Sequence, residues 1–239
     1  MRFTYADAVA DRFPGVSGGA IHAVGVVNGP TSPDLARAYA DEQAAVLARI
    51  GGTPLSEVPS LAAWRRTFRA FGVDPTAYRS AAEALLRRLT KQGSIPSINT
   101  LVDLGNLVSI RHGLPVAIFD QAQMTGGTTV RLANGDESFT DLGSGTSEAP
   151  EPGEVIFVDE AGLVSARRWC WRQAAESAAR PATTEILVTV EAQHDGGSLV
   201  VGEAMADLEA LLRAHAGATT LVTGTVDATQ RSFAGVSDA

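Results

Sequence analysis

The sequence predicts an α+β fold, mixed sheets with packed helices, forming one domain over residues 1–239. Three observations lead there. Apolar β-branched runs and stretches of 3.6-residue periodicity are interspersed without a strict strand–helix alternation, which argues against a doubly wound sheet. The 239 residues are 45% hydrophobic, enough to bury a full core as one large domain or two closely packed lobes. No internal repeat divides the chain.

Taken in order, Ala20 to Asn28 reads as a strand ended by the turn Asn28-Gly29-Pro30. Ser32-Pro33-Asp34 supplies an N-cap with proline at the first helical position, and the helix that follows stops at Gly51-Gly52. A second helix covers about 57–71, and Asp74-Pro75 is expected to cap a third that carries Tyr78, Ala82, Leu85, Leu86 and Leu89 and stops at Gly93. A fourth runs from about Asn99 to His112, with Gly113 as its left-handed stop. Val116 to Phe119 reads as a buried strand. Thr128 to Leu132 alternates and meets Asn134-Gly135, a hairpin signal that predicts a return strand at Phe139. Beyond the Gly/Ser/Pro-rich loop 143–153 come strands at Val155 to Val158, Leu163 to Arg167 and Ile186 to Val190, a helix from about Gly202 to Ala214, and a strand near Leu221 to Val226.

A formal net charge of −8 opposes a polyanionic partner, but the charge is unevenly distributed. Residues 61–131 hold nine Lys or Arg against four acids, 132–164 hold eight acids and no base, and 165–180 are basic again. Two basic blocks on an acidic body can meet on one face. No apolar run approaches the roughly 20 residues of a membrane span. The N-terminus Met1-Arg2-Phe3-Thr4-Tyr5 also lacks a signal-peptide layout, so a cytoplasmic location is expected. The single cysteine, Cys170, excludes an intrachain disulfide and every multi-cysteine metal site, and it reads as a structural thiol although adjacent arginines could activate it.

The densest chemistry lies in Arg167-Arg168-Trp169-Cys170-Trp171-Arg172-Gln173, three arginines and two of the three tryptophans in seven residues. Arginine and indole together stack on flat rings and fork onto phosphate or carboxylate oxygens, as single-stranded nucleic-acid ends require. The alternative is a structural ladder, with arginines paired to carboxylates and tryptophans in the core. If extended, the run places Arg167, Trp169, Trp171 and Gln173 on one face; if helical, Arg168 and Arg172 share a face.

Other motifs point away from common chemistries. Gly15-Val16-Ser17-Gly18-Gly19 fits the G-x-S-x-G pattern, but a strand is expected after the serine and not before it, so a plain glycine turn is the expectation. The four histidines are isolated, so neither a metal site nor a cofactor is expected, and no phosphate-binding glycine loop of dinucleotide or P-loop type occurs.

From Ser97 to Asp120 the chain resembles the editing module of the bacterial phenylalanyl-tRNA synthetase beta subunit, the B3/B4 domain. The resemblance rests on Asn99 before the helix, Val102-Asp103, Asn106, the Gly113-x-Pro115 break and Phe119-Asp120, followed by Gly126-Gly127 and Val130-Arg131. It is strongest over 60–180, and the Arg/Trp run is similar to freestanding members of the family. The resemblance implies a mixed α+β domain that binds the charged 3′ end of tRNA and, in the synthetase, hydrolyses a wrongly attached amino acid. A Thr-Asn pair of the synthetase pocket falls on Gly105 and Asn106, a pocket histidine falls on Ala117, and the Arg/Trp run replaces a glycine-rich segment. The resulting expectation is a deacylase acting in trans on mischarged aminoacyl-tRNA, with water as nucleophile and no metal. Its substrate-binding residues are expected to be Asn99, Gly105, Asn106, Arg167, Arg168, Trp169, Trp171, Arg172 and Gln173. Two alternatives stay open. The protein could be a non-catalytic tRNA- or RNA-binding module, or a pocket for a free amino acid or related small metabolite; Asn106 itself could be a buried structural amide.

Overall fold

The fold is α+β, as expected, and its computed structural model describes residues 1–236. The strands are β1 (Arg2–Tyr5), β2 (Ser17–Val24), β3 (Val116–Asp120), β4 (Thr128–Leu132), β5 (Phe139–Thr140), β6 (Ser147–Glu148), β7 (Val155–Val158), β8 (Val164–Arg167), β9 (Arg172–Gln173), β10 (Glu185–Ala192), β11 (Thr220–Asp227) and β12 (Ser232–Ala234). The helices are α1 (Asp7–Arg12), α2 (Pro33–Ile50), α3 (Pro59–Ala70), α4 (Ala81–Gln92), α5 (Thr100–His112) and α6 (Gly197–His215).

Three layers result. The six-stranded sheet has the order β12-β1-β4-β7-β8-β9 and is antiparallel except where β1 runs parallel to β4. The four-stranded sheet, β11-β2-β10-β3, is antiparallel throughout. Period-two alternation divides β10 between two cores. Ile186, Val188 and Val190 join Leu35, Leu101, Leu104 and Leu208 on the helical side, whereas Leu187 faces Phe3, Tyr5, Phe157 and Trp169 between the sheets. Thr189 and Glu191 share the register of Leu187 and are therefore delivered, polar, into the layer between the sheets.

Capping follows sequence chemistry where it was legible. Ser32 caps α2 and Asn99 caps α5 by accepting from the backbone N–H three residues on, and Gly113 ends α5 in the left-handed region at φ 65°. Two expectations are corrected. The third helix starts at Ala81, capped by Ser80, and not at Asp74, whose carboxylate instead accepts from Thr76 N at 2.8 Å and closes a short turn. That leaves Tyr78 outside the helix, where its ring meets Trp171 edge-on at 4.9 Å. Asn134-Gly135 does turn the chain, but β4 pairs with β1 and β7, and Phe139 pairs with Glu148. The Glu137 carboxylate accepts from both Asn134 N and Gly135 N, and this local anion clasp leads the chain away before a hairpin can form. These hydrogen bonds, with Arg131, hold the Glu137 carboxyl down at about 2 although burial opposes them.

Candidate functional site

The Arg/Trp run is neither a continuous strand nor a helix. It is a tight connection between β8 and β9, which pair Arg167 with Arg172 and Ala166 with Gln173. Arg168 (φ 45°) and Trp169 (φ 61°) both take the left-handed region without being glycine, at a cost of about 1–2 kcal/mol each. Each end of the turn is held: Trp169 N donates to Val155 O at 2.6 Å, and Ala81 N at the start of α4 donates to Cys170 O at 2.7 Å.

The turn splits the run between the two readings open in the sequence. Arg167 is ladder: it is buried, forks from Nε and Nη2 onto Glu154 at 2.9 and 3.0 Å, and reaches Glu148 through Nη1. Trp169 is core: it is 0% exposed and meets Trp64 and Phe13 edge-on at 5.1–5.3 Å. Neither side chain is free at the surface to stack a base or fork a phosphate. Arg168 is half-buried, its guanidinium 3.9 Å from the Tyr78 ring centroid and 4.6 Å from that of Trp171. Burial and the neighbouring Arg167 lower its pKa. Arg172 also lies over Trp171, at 4.9 Å, and its Nη1 contacts both oxygens of Asp141 at 2.9 and 3.1 Å. The Gln173 amide donates to Ile118 O at 2.8 Å and Ser177 O at 3.0 Å, which sews the end of the run onto β3.

The turn and the two sheets enclose a cavity of about 80 Å³. Its walls include Val116 and Ala117 of β3, Trp169 to Gln173, and Ala81; its floor carries Thr189 and Glu191. Glu191 is the residue that sequence reasoning missed. It is a buried carboxyl whose Oε1 accepts from Tyr5 Oη at 2.6 Å and from Trp169 Nε1 at 3.0 Å. Oε2 has no donor among the described residues. Burial raises its pKa to about 7 despite those two hydrogen bonds, so both protonation states are populated at neutral pH. The one available signal was a lone acid at the end of an otherwise apolar, β-branched run from Ile186 to Val190.

Glycine makes the floor possible. Gly18 of β2 faces Glu191 in register, and a Cβ there would lie 2.4 Å from Tyr5 Oη. The G-x-S-x-G match is therefore a close-approach device, and Ser17 merely opens β2. Cys170 is not activated by the arginines beside it. Burial first, and then the Glu191 charge, raises its thiol well above the ordinary value.

The remaining expected residues lie apart from this cavity. Asn99 is the α5 cap. Gly105 lies behind the β3 wall, where a Cβ would stand 3.1 Å from Ile118 Cδ1. Asn106 lies half-buried on α5 and does not line the cavity. The polar feature of that helix end is Asp103, fully buried, which accepts from Thr31 Oγ1 at 2.6 Å, Ile98 N at 2.9 Å and Ser97 Oγ. Among the described residues no group of three or more His, Cys, Asp or Glu is placed to hold a metal, and no helix is long and apolar enough to cross a membrane.

The family model described as B3/4 domain matches residues 63–196, more than half of the chain and all of the cavity lining. The chain belongs to the B3/4 domain family. This B3/4 protein is 35% identical over 112 residues to the phenylalanine–tRNA ligase beta subunit of Nocardia farcinica, 47% of this chain and 12% of that one. It is 35% identical over 78 residues to the same subunit of Chromobacterium violaceum, 33% of this chain and 10% of that one. The B3/4 chain thus spans about a tenth of the length of the curated relatives it matches. A solved N-terminal fragment of the Pyrococcus horikoshii phenylalanyl-tRNA synthetase beta subunit aligns with 46% of this chain and 41% of the fragment, at a TM-score of 0.37 and 13% identity.

Proposed function

We propose that this B3/4 protein is a cytoplasmic deacylase that hydrolyses mischarged aminoacyl-tRNA in trans, with the amino-acid side chain in the cavity above Glu191. The observation that carries the reading is the position of that carboxyl. A buried acid with one oxygen free of donors, at the floor of a small pocket inside the matched segment, suits the tip of a hydrogen-bonding side chain. The aminoacyl ester then lies at the mouth, beside Trp171 and Arg172, the latter with an exposed guanidinium. Water attacks the ester carbonyl, the bond to the ribose oxygen breaks, and that oxygen leaves with a proton. The neighbouring ribose hydroxyl assists, and Arg172 with backbone donors stabilises the tetrahedral oxyanion. No protein nucleophile, metal or cofactor is required.

A panel of aminoacyl-tRNAs incubated with enzyme in excess and followed for ester loss tests this. At least one ester is expected to disappear faster than in buffer alone. A complete panel without acceleration removes the deacylase reading; retention of salt-dependent tRNA binding would then leave a non-catalytic RNA-binding module, and binding of a free amino acid without tRNA would leave a metabolite pocket.

A further inference from the structure

Outside the pocket, the most distinctive charged feature is a cleft of about 440 Å³ bounded by the loop 50–56, α3 and α4. It presents Arg65, Arg87, Thr90 and Lys91 with the exposed backbone of Gly51 and Gly52. Its one acid, Glu83, is buried and already engaged by Arg65 at 2.6 Å and Arg79 at 3.9 Å. Arg87 and Lys91 are exposed, four residues apart on one helical face, and neither makes an ion pair among the described residues. Arg66 and Arg69 of α3 are also exposed and form no ion pair among the described residues. In a chain of net charge −8, an unneutralised cationic strip of this kind selects a polyanion and turns it to one face.

The position of the strip supplies a ruler. Ala81, the first residue of α4, is in the cavity wall. At 1.5 Å per residue, Arg87 stands about 9 Å and Lys91 about 15 Å along the helix from it. Four unpaired nucleotides, stacked at about 3.4 Å each, span about 14 Å. Four unpaired nucleotides are therefore long enough for a tRNA whose terminal ester is at the cavity mouth to set the first phosphates of its acceptor duplex against the C-terminal half of α4.

We infer that the exposed Arg87–Lys91 face of α4, with the cleft beside it, docks the acceptor-stem phosphate backbone of the tRNA whose 3′ end enters the Glu191 pocket. This rests on the proposed function for the identity of the ligand. The contact is to phosphates, so it gives position and affinity and carries no sequence preference.

The test uses the full chain, fluorescent full-length tRNA, and a CCA trinucleotide aminoacylated with the amino acid that the panel identifies. The double variant Arg87→Glu/Lys91→Glu is expected to bind tRNA roughly tenfold more weakly at low salt. The slope of log affinity against log salt is expected to fall by about two, one per lost phosphate contact. Arg87→Lys/Lys91→Arg retains binding, and both double variants melt like the wild type. The aminoacylated trinucleotide carries none of the acceptor-duplex phosphates, so the charge-reversed variant is expected to hydrolyse it at the wild-type rate. An unchanged slope and affinity in the charge-reversed variant overturns the docking surface, as does a wild type that shows no salt-dependent tRNA binding. Equal slowing on the trinucleotide also overturns it, because the effect would then lie in the pocket. If no panel ester is hydrolysed but the charge reversal still abolishes salt-dependent tRNA binding, the deacylase reading falls and the docking surface stands.

Discussion

Trp169 Nε1 donates to Glu191 Oε1 at 3.0 Å, so the turn with two left-handed non-glycine residues is fastened to the floor of the pocket it covers. The strain of that turn is about 2–4 kcal/mol for the pair. Full burial of the indole and two edge-on aromatic contacts, worth about 0.5–1.5 kcal/mol apiece beyond the area term, exceed it. Packing thus decides the backbone here, and the local conformational preference yields.

Trp169→Ala is expected to lower stability by about 3–5 kcal/mol, as a fully buried aromatic does when truncated. Equilibrium denaturation in urea measures it. A loss under about 1 kcal/mol would mean that the turn does not depend on the indole.

Glu191 predicts a specific pH profile. Its folded value of about 7 lies above the ordinary 4.5, so between those pH values the folded state holds more protons than the unfolded one. Stability from this group is present at low pH and is lost as pH rises through about 7, a decline on the order of a few kcal/mol. Glu191→Gln should flatten that decline when unfolding is followed from pH 5 to pH 8. Parallel profiles for variant and wild type would show that the carboxyl titrates elsewhere.

Removing Arg167 alone leaves the buried Glu154 carboxylate with only Arg168 Nε at 3.7 Å and Glu151 N at 3.4 Å, so Arg167→Ala is expected to cost about 3 kcal/mol. Replacing both partners, as Arg167→Met with Glu154→Leu, should recover most of it. A double-mutant cycle with a coupling energy near zero would contradict a ladder function for this arginine.

Gly18→Ala places a methyl 2.4 Å from Tyr5 Oη and is expected to cost about 1–3 kcal/mol as overpacking. Tyr5→Phe removes the clashing atom, so the double variant should be more stable than the sum of the single losses predicts. Strict additivity in thermal melts would place the clash elsewhere, for example on Val226 Cγ2 at 2.9 Å.

Helices were legible wherever caps and periodicity agreed, as at Asn99 to Gly113, because those signals are confined to a few consecutive residues. They misled where a side chain outside the local window took control. Asp74 resembles an N-cap but serves a turn, since Tyr78 has to stay clear of the helix to meet Trp171 and Arg168. Asn134-Gly135 resembles a hairpin, but the β4 partners lie at Phe3 to Tyr5 and Val155 to Val158, too far along the chain for a turn signal to register. The site was half legible. The Arg/Trp run pointed to a segment that lines the candidate cavity, while Glu191 was hidden because nothing local sets it apart from a strand-end carboxylate; its burial and its Tyr5 partner, 186 residues away, come from the tertiary fold.

That separation bears on how the molecule assembles. The pocket floor is closed by contacts spanning 186 and 22 residues, and the longer one requires β1, which lies outside the matched segment 63–196. Loop-closure entropy for such a contact must be met before it contributes anything, so the floor is expected to form no earlier than the β2–β10 pairing that sets Gly18 opposite Glu191. A fragment cut to residues 63–196 would lack Tyr5 and the strand carrying Gly18, which removes the hydroxyl donor to Glu191 and the neighbouring strand that helps to bury it.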